Sequence, residues 1–342
     1  MKLMKTEDAI GHVLCHDITQ IIRDEKKGPV FRKGHIIRPE DVPVLLSVGK
    51  DHVYIWENDE NMLHEDEAAM ILRDLCMGGN MHATEPREGK IELIADIDGL
   101  LLIDVERLRA VNALGDMMIA ARASGFLVKK GDKLCGTRVI PLVIEKARME
   151  RAKEAAGPEP LLRLIPLKPK KVGVVTTGSE VYYGRIQDTF TPVIVEKLRE
   201  FGGSEMVEHV ILNDDHEKIT AAIRSMLEHG CEMVLCSGGM SVDPDDKTPL
   251  AIKNTGAHIV SYGAPVLPGA MTLVSYMPDG RPVCGLPGCV MYAKRTIFDL
   301  LLPYLVTDTL ITRGMLTGLG HGGLCLSCRV CHFPNCGFGK GV

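Results

Sequence analysis

The chain has 342 residues, 45% of them hydrophobic, and a formal net charge of -5. That apolar share allows large cores and predicts two or three folded domains rather than disorder. The acidic balance provides no basic surface of the kind a phosphate backbone requires, so no nucleic-acid partner is expected. No apolar run reaches the roughly 18 to 20 residues that cross a bilayer, so no membrane partner is expected either. The first eight residues lack the apolar stretch of a secretion signal, and the expected location is the cytoplasm.

Up to about residue 57, short apolar runs broken by Gly28-Pro29, Lys33-Gly34 and Arg38-Pro39 predict small strands and turns, with one helical turn near 42–48. Ala68, Ile71, Leu72 and Leu75 keep helical spacing in a segment running from Asn61 to Cys76, closed by Gly78-Gly79. Asp104 to Leu114 repeats that device before Gly115. Met117 to Pro141 reads as strand, turn, strand, and a charged helix is expected over 143–156. Gly157-Pro158-Glu159-Pro160 and Pro166-Leu-Lys-Pro-Lys-Lys171 then forbid continuous helix or sheet. The expected domains are an α+β region over 1–165, an α/β domain over 170–306 and a cysteine-rich tail over 307–342.

Beyond the boundary, strands alternate with helices, which predicts a mostly parallel sheet covered on both faces. Strands are expected at 172–177, 206–212 and 232–237, and near 257–260, 271–276 and 282–285. Helices are expected at 189–202, after the cap Asp214-Asp215-His216-Glu217, over 248–254, and from about 290 to 302.

Ligands of such sheets bind outside the carboxyl ends of the strands, and there the unusual residues gather. Thr176, Thr177, Gly178, Ser179 and Glu180 close the first strand. Ser237, Gly238, Gly239, Met240 and Ser241 close the third, and Gly285-Leu-Pro287-Gly288 opens the expected final helix, whose N–H groups favour an anion. Glu180, Asp188, Asp243, Asp245 and Asp246 stand in the same loops as hard oxygen donors. Carboxylates beside a phosphate site imply a divalent ion, Mg²⁺. The bland account of each glycine is a connecting turn, and of Asp245 and Asp246 a helix cap.

Thr177-Gly-Ser-Glu180, Asp188-Thr189, Ser237-Gly-Gly-Met-Ser-Val-Asp-Pro-Asp-Asp246, Pro268-Gly269 and Cys284-Gly-Leu-Pro-Gly288 resemble, in order and spacing, the molybdopterin-binding domain of molybdopterin molybdenumtransferases and gephyrin. The likeness covers about residues 170 to 306. It implies a three-layer α/β sandwich that binds molybdopterin or adenylyl-molybdopterin with Mg²⁺, in a homo-oligomer serving a recipient molybdoenzyme. By position it implies acidic active-site roles for Glu180, Asp188 and Asp246, and an Mg²⁺ ligand role for Asp243 and Asp246. Thr177, Gly178, Ser179, Ser237, Gly238, Gly239, Ser241, Pro287 and Gly288 would bind the cofactor. In the transferases this site releases AMP and inserts molybdate; a non-catalytic carrier or sensor is the alternative. Two departures bear on that choice. Val266-Leu-Pro-Gly-Ala-Met271 lacks the family's flanking lysines, and the first region starts with the familiar Gly11-His-Val-Leu-Cys-His-Asp17 yet lacks the Ser-Ala-Met-Asp-Gly-Tyr-Ala motif.

Of eleven cysteines, seven occupy ordinary core or loop contexts, where reduced thiols are expected. The other four, Cys325, Cys328, Cys331 and Cys336, are crowded into a glycine-rich segment. The CxxCxxC spacing would place three thiolates around one centre with Cys336 as a fourth, approximating a [4Fe–4S] run. His321 or His332 in place of Cys336 would instead give a zinc site. A segment this poor in large apolar residues gains order from a metal more readily than from its own contacts.

Overall fold

In the computed structural model, which describes residues 2–22, 26–55, 60–241, 243 and 246–341, the chain forms two compact units. One comprises Met1–Asp96, Ile103–Arg122 and Lys130–Arg163, and the other Ile97–Leu102, Ala123–Lys129 and Leu164–Val342. These units cut across the expected divisions at 165 and 306. The reason is packing: Phe126, from an early strand, is buried in one core with Leu300 of the α/β region and Phe338 of the tail.

In the first unit, Leu14, Ile18, Ile37, Leu45 and Val53 form a small core. Beyond it lies an antiparallel four-stranded sheet in the order Met81–Ala83, Lys90–Ala95, Lys133–Val139, Met117–Ala121. Ile91, Leu93 and Ala95 are buried on one face, the period-two pattern of a sheet covered on one side. Two helices begin later than their apolar spacing suggests. Met62–His64 and Val143–Glu145 pair as strands, and the helices run Glu65–Cys76 and Lys146–Ala156. A capping box sets the first of these starts: the Asp66 amide donates to His64 Nδ1 at 3.2 Å, and the His64 amide donates to Glu67 Oε2 at 2.9 Å.

The second unit contains β1 (Lys171–Thr177), α1 (Phe190–Glu200), β2 (Glu205–Leu212), α2 (His216–Glu228), β3 (Met233–Ser237), α3 (Thr248–Asn254), β4 (His258–Tyr262), β5 (Leu273–Tyr276), β6 (Pro282–Leu286), α4 (Ile297–Leu305) and α5 (Arg313–Gly318). The strands form one sheet in the order β2-β1-β3-β6-β5-β4. It is parallel from β2 to β6 and antiparallel from β6 through β5 to β4. This is the expected α/β sandwich with a mostly parallel sheet.

Successive side chains alternate between two cores. Val172, Val174, Met233, Leu235 and Leu286 join Ile194, Leu198 and Phe298, whereas Val175, Val234, Cys236 and Val283 join Ile219, Ile223, Met226 and Ile252. Helices cover both faces, so the strands read as unbroken apolar runs. A Cβ at Gly173 would lie 2.7 Å from Met226 Sδ, so α2 rests directly on the β1 backbone.

The helix expected to open at Gly288 does not do so. Gly288–Met291 is a single 3₁₀ turn, and α4 starts at Ile297. The stronger cap lies at Thr296: its Oγ1 accepts from the Phe298 amide at 3.2 Å, and its own amide donates to Asp299 Oδ2 at 2.7 Å. Asp299 is fully buried and held by Lys197 at 2.6 Å and Arg295 at 2.9 Å. Among the described residues, no helix is long and apolar enough to cross a membrane.

Candidate functional site

Because β1 lies between β2 and β3, the chain turns one way after β1 and crosses back to reach β3. The carboxyl ends of β1 and β3 therefore flank the point where strand order reverses, the place at which open α/β sheets receive ligands. Thr176 sits opposite Ser237, and Ser237 opposite Leu286, so the loops containing Thr177, Gly239 and Pro287 leave the same edge.

Thr177 and Thr176 point to opposite faces, and the expected site residues divide accordingly. On one face, Thr177 Oγ1 donates to the Ser237 carbonyl at 3.2 Å and pairs with Thr248 Oγ1 at 3.1 Å. Thr248 Oγ1 also donates to the Gly238 carbonyl at 2.9 Å. Gly238 and Gly239 have φ of +86° and +56°. A Cβ on Gly238 would lie 2.9 Å from the Thr177 carbonyl carbon and closer still to its oxygen, and one on Gly239 would lie 2.8 Å from Thr248 Oγ1. Both positions demand glycine, because a side chain at either would run into Thr177 or Thr248.

On the other face, Thr176 Oγ1 meets Thr191 Oγ1 and His209 Nε2, both at 3.0 Å. Asp188 belongs here, away from Gly239. Its Oδ1 accepts from the Phe190 and Thr191 amides at 2.9 and 3.1 Å, and its Oδ2 accepts from Thr191 Oγ1 at 2.5 Å. Burial pushes the Asp188 carboxyl upward, but these hydrogen bonds and nearby His209 outweigh it and hold the group below the usual carboxylate range. The Ser237 hydroxyl also turns this way, to Thr176 Oγ1 at 3.4 Å. Asp188 thus secures the first turn of α1, and Ser237 offers the crevice face only its carbonyl.

The other carboxylates surround the crevice loops. Asp246 Oδ2 accepts from the Ser241 amide at 2.7 Å, and the Asp246 amide donates to the Asp243 carbonyl at 3.0 Å. Asp245 lies outside the described residues. Glu180 is exposed on the short helix Ser179–Tyr182, its carboxylate facing Gly178. Pro287 is buried and Gly288 exposed at the 3₁₀ turn after β6.

Two participants escaped the sequence pattern. Asp214 Oδ2 accepts from both the amide and Oγ of Ser179 at 3.0 Å, and its Oδ1 stands 3.6 Å from where a Gly239 Cβ would be. The acidic doublet 214–215 held this signal, but only Asp215 caps α2. Tyr262 donates to the Met240 carbonyl at 2.9 Å, and burial followed by the Asp246 charge pushes its phenol up. Asn213 Oδ1, in the loop before α2, and His216 Nδ1, at the first residue of α2, are shielded from solvent without a hydrogen-bond partner.

All eleven cysteines are free. Burial raises the Cys236 thiol and pushes Cys284 up to about 12, as expected of thiols packed as apolar groups. In the tail, Cys328 and Cys331 are exposed and Cys325 and Cys336 half-buried. Among the described residues, His64, Glu65 and Asp66 are the group of three whose ligand atoms lie within 4.8 Å of one another. Lys33 Nζ already contacts His64 Nδ1 at 2.8 Å and Asp66 Oδ2 at 3.2 Å there. No three tail thiols lie within 4.8 Å of one another.

Residues 173–307 match the family described as probable molybdopterin binding domain, and residues 3–57 match the domain of unknown function DUF8806. The chain carries an α/β domain of the molybdopterin-binding kind. A CinA-like protein of Mycobacterium tuberculosis (strain ATCC 25177 / H37Ra) is 38% identical over 78 residues, 23% of this chain and 18% of that protein. The molybdopterin molybdenumtransferase of Synechococcus elongatus is 25% identical over 197 residues, 54% of this chain and 46% of that protein. The matched part thus spans less than half of either relative. Among solved structures, the molybdopterin biosynthesis enzyme MoaB of Thermus thermophilus has a TM-score of 0.33 at 19% identity, covering 42% of this chain and 98% of that one. A molybdenum cofactor biosynthesis protein of Pyrococcus furiosus has a TM-score of 0.27 at 13% identity, covering 91% of this chain and 66% of that one.

Proposed function

We propose that the α/β domain binds molybdopterin or adenylyl-molybdopterin through its phosphate end, in the crevice after β1 and β3, as a step in molybdenum cofactor biosynthesis. The observation that carries this reading is the floor built by Gly238 and Gly239. At positive φ and packed against Thr177 and Thr248, they close the turn after β3 tightly onto the end of β1 and give a ligand a stretch of backbone without side chains to approach. Successive amides in such a turn form a concavity suited to an anion. Asn213 Oδ1 and His216 Nδ1 are polar atoms that a bound pterin could satisfy. Asp243 and Asp246, with Glu180 and Asp214 beside the same loops, are hard oxygen donors of the type Mg²⁺ takes, no three of them within 4.8 Å of one another in the structure; Mg²⁺, when bound, would offset repulsion between phosphate and carboxylates.

The catalytic form of this reading is molybdate insertion with release of AMP, in which Glu180 and Asp246 orient the adenylyl phosphate. Two observations favour a carrier or sensor instead: Asp188 is committed to α1, and the Pro268-Gly269 segment has no lysine to meet molybdate. In either form the chain acts in the cytoplasm as a homo-oligomer that passes the cofactor to a molybdoenzyme. The test is anaerobic incubation with adenylyl-molybdopterin, molybdate and Mg²⁺, measuring bound pterin and released AMP, with Asp246→Asn as control. AMP release that Asp246→Asn abolishes supports the transferase. Bound pterin without AMP leaves the carrier. Absence of pterin binding refutes the proposal.

A further inference from the structure

The four tail cysteines line one cavity of about 610 Å³ within the second unit, together with Pro268, Tyr292, Lys294, Arg295 and Phe333. The segment around it has little structure of its own. From Leu319 to Gly341 there is no helix or strand beyond a single bridge at Leu324, and irregular segments of this length are uncommon in compact domains unless something else orders them. Its ends are nevertheless drawn together, the Gly339 amide donating to the Gly322 carbonyl at 2.9 Å. Its start is tied down by the Cys325 amide, which donates to the Leu267 carbonyl at 2.8 Å. The result is a loop closed at its ends whose four cysteines line one cavity against Tyr292, Lys294 and Arg295.

The geometry points to a [4Fe–4S] cluster held by Cys325, Cys328, Cys331 and Cys336. A single tetrahedral zinc with bonds of about 2.3 Å would bring its sulfurs within about 4 Å of one another, whereas no three of these thiols lie within 4.8 Å of one another. A cubane carries each thiolate on a different iron, so its ligands stand further apart around a larger body, and the cavity lined by all four cysteines provides the volume for one. The surroundings suit an anionic centre. Lys294 is fixed at the wall by donating to the Arg329 carbonyl at 3.1 Å and supplies the cation there, whereas Arg295, already paired with Glu200 and Asp299, lies with its guanidinium 4.9 Å from the centre of the Phe333 ring. Phe333 also packs against Phe126 and Phe338, giving the centre an apolar side. The CxxCxxC run and the fourth cysteine supply the Cys₄ set that such clusters take. This assignment does not depend on the pterin reading.

The test uses the full chain, purified anaerobically and reconstituted with sulfide and equal parts of ferrous and ferric iron, which match the oxidation level of a 2+ cluster. The expected result is about four irons per chain, as one Cys₄ cubane requires, with broad visible absorption that bleaches on dithionite reduction and a reduced-state electron paramagnetic resonance signal. Cys328→Ser and Cys331→Ser should each lose most of that iron, while Cys289→Ser, outside the cavity, keeps it. Far-UV circular dichroism should show the α/β fold retained in all three. Zinc at one per chain with no iron uptake, or neither metal, overturns the assignment. So does iron uptake that Cys328→Ser and Cys331→Ser leave unchanged.

Discussion

Replacing Gly238 by alanine tests the crevice floor most directly. A Cβ there would sit 2.9 Å from the Thr177 carbonyl carbon and from Thr177 Oγ1, nearer still to the carbonyl oxygen, at a φ of +86°. The left-handed backbone costs a non-glycine residue about 1–2 kcal/mol. Separating two packed strand ends adds about 1–3 kcal/mol, because the obstacle is the backbone of β1 and not the end of a flexible side chain. Gly238→Ala should therefore destabilise the second unit by about 2–5 kcal/mol. Gly239→Ala meets mainly the hydroxyls of Thr248 and Thr177, at 2.8 and 3.1 Å. Displacing their mutual hydrogen bond costs about 1 kcal/mol beyond the backbone term, so its penalty should be smaller, about 2–3 kcal/mol. Urea unfolding followed by far-UV circular dichroism measures both, and anaerobic pterin titration of the folded protein measures the crevice. Gly239→Ala, although the milder change for folding, should weaken pterin binding at least tenfold. Equal stability of Gly238→Ala and wild type would refute the close approach of β1 and β3, and unaltered pterin affinity in folded Gly239→Ala would refute the floor as the binding surface.

Asp188→Asn should cost about 1–2 kcal/mol at neutral pH, since asparagine keeps part of the cap but loses the charge. The native Asp188 carboxyl lies below its unfolded value, so its contribution is present above about pH 4 and lost as pH falls through the depressed native value. The difference between variant and wild type in acid-titrated melting curves should accordingly shrink below about pH 4. If Asp188 were instead a catalytic group that does not secure α1, stability would be unchanged while activity fell. Glu65 shows the opposite sign: burial first, then Asp66, raises its carboxyl to about 7. Its stabilising effect is full below the unfolded value of about 4.3 and lost as pH rises through 7, a loss of up to about 4 kcal/mol at 1.36 kcal/mol per unit. Glu65→Gln should flatten the fall in stability of the first unit between pH 5 and 8 in thermal unfolding, and an unchanged slope would contradict the burial argument.

The α/β layout was legible in the chain because each inner strand is apolar on both faces and each helix carries one stripe. Val172 to Thr177, Phe190 to Leu198 and Ile219 to Leu227 can be placed from spacing alone. So can the two glycine turns after β1 and β3, since residues of this type collect where strands end. The start of α4 was misplaced by pattern because a glycine before an apolar run reads as a helix entrance. The cap at Thr296 prevails only through Asp299, whose buried charge depends on Lys197, remote in the chain. The side on which a site residue faces was likewise a tertiary matter. Asp188 and Asp246 look alike in sequence, yet the one-residue step from Thr176 to Thr177 turns their neighbourhoods to opposite faces of the sheet. Asp214 entered the crevice by the same logic, through parallel pairing of β1 and β2 that brings their ends to one edge. Composition and periodicity act along the chain and so specify which segments are strand, helix or turn. Which carboxylate meets which hydroxyl, and that the four tail cysteines line a common cavity with Pro268 and Tyr292, follows from contacts between segments far apart in sequence, and only packing could determine it.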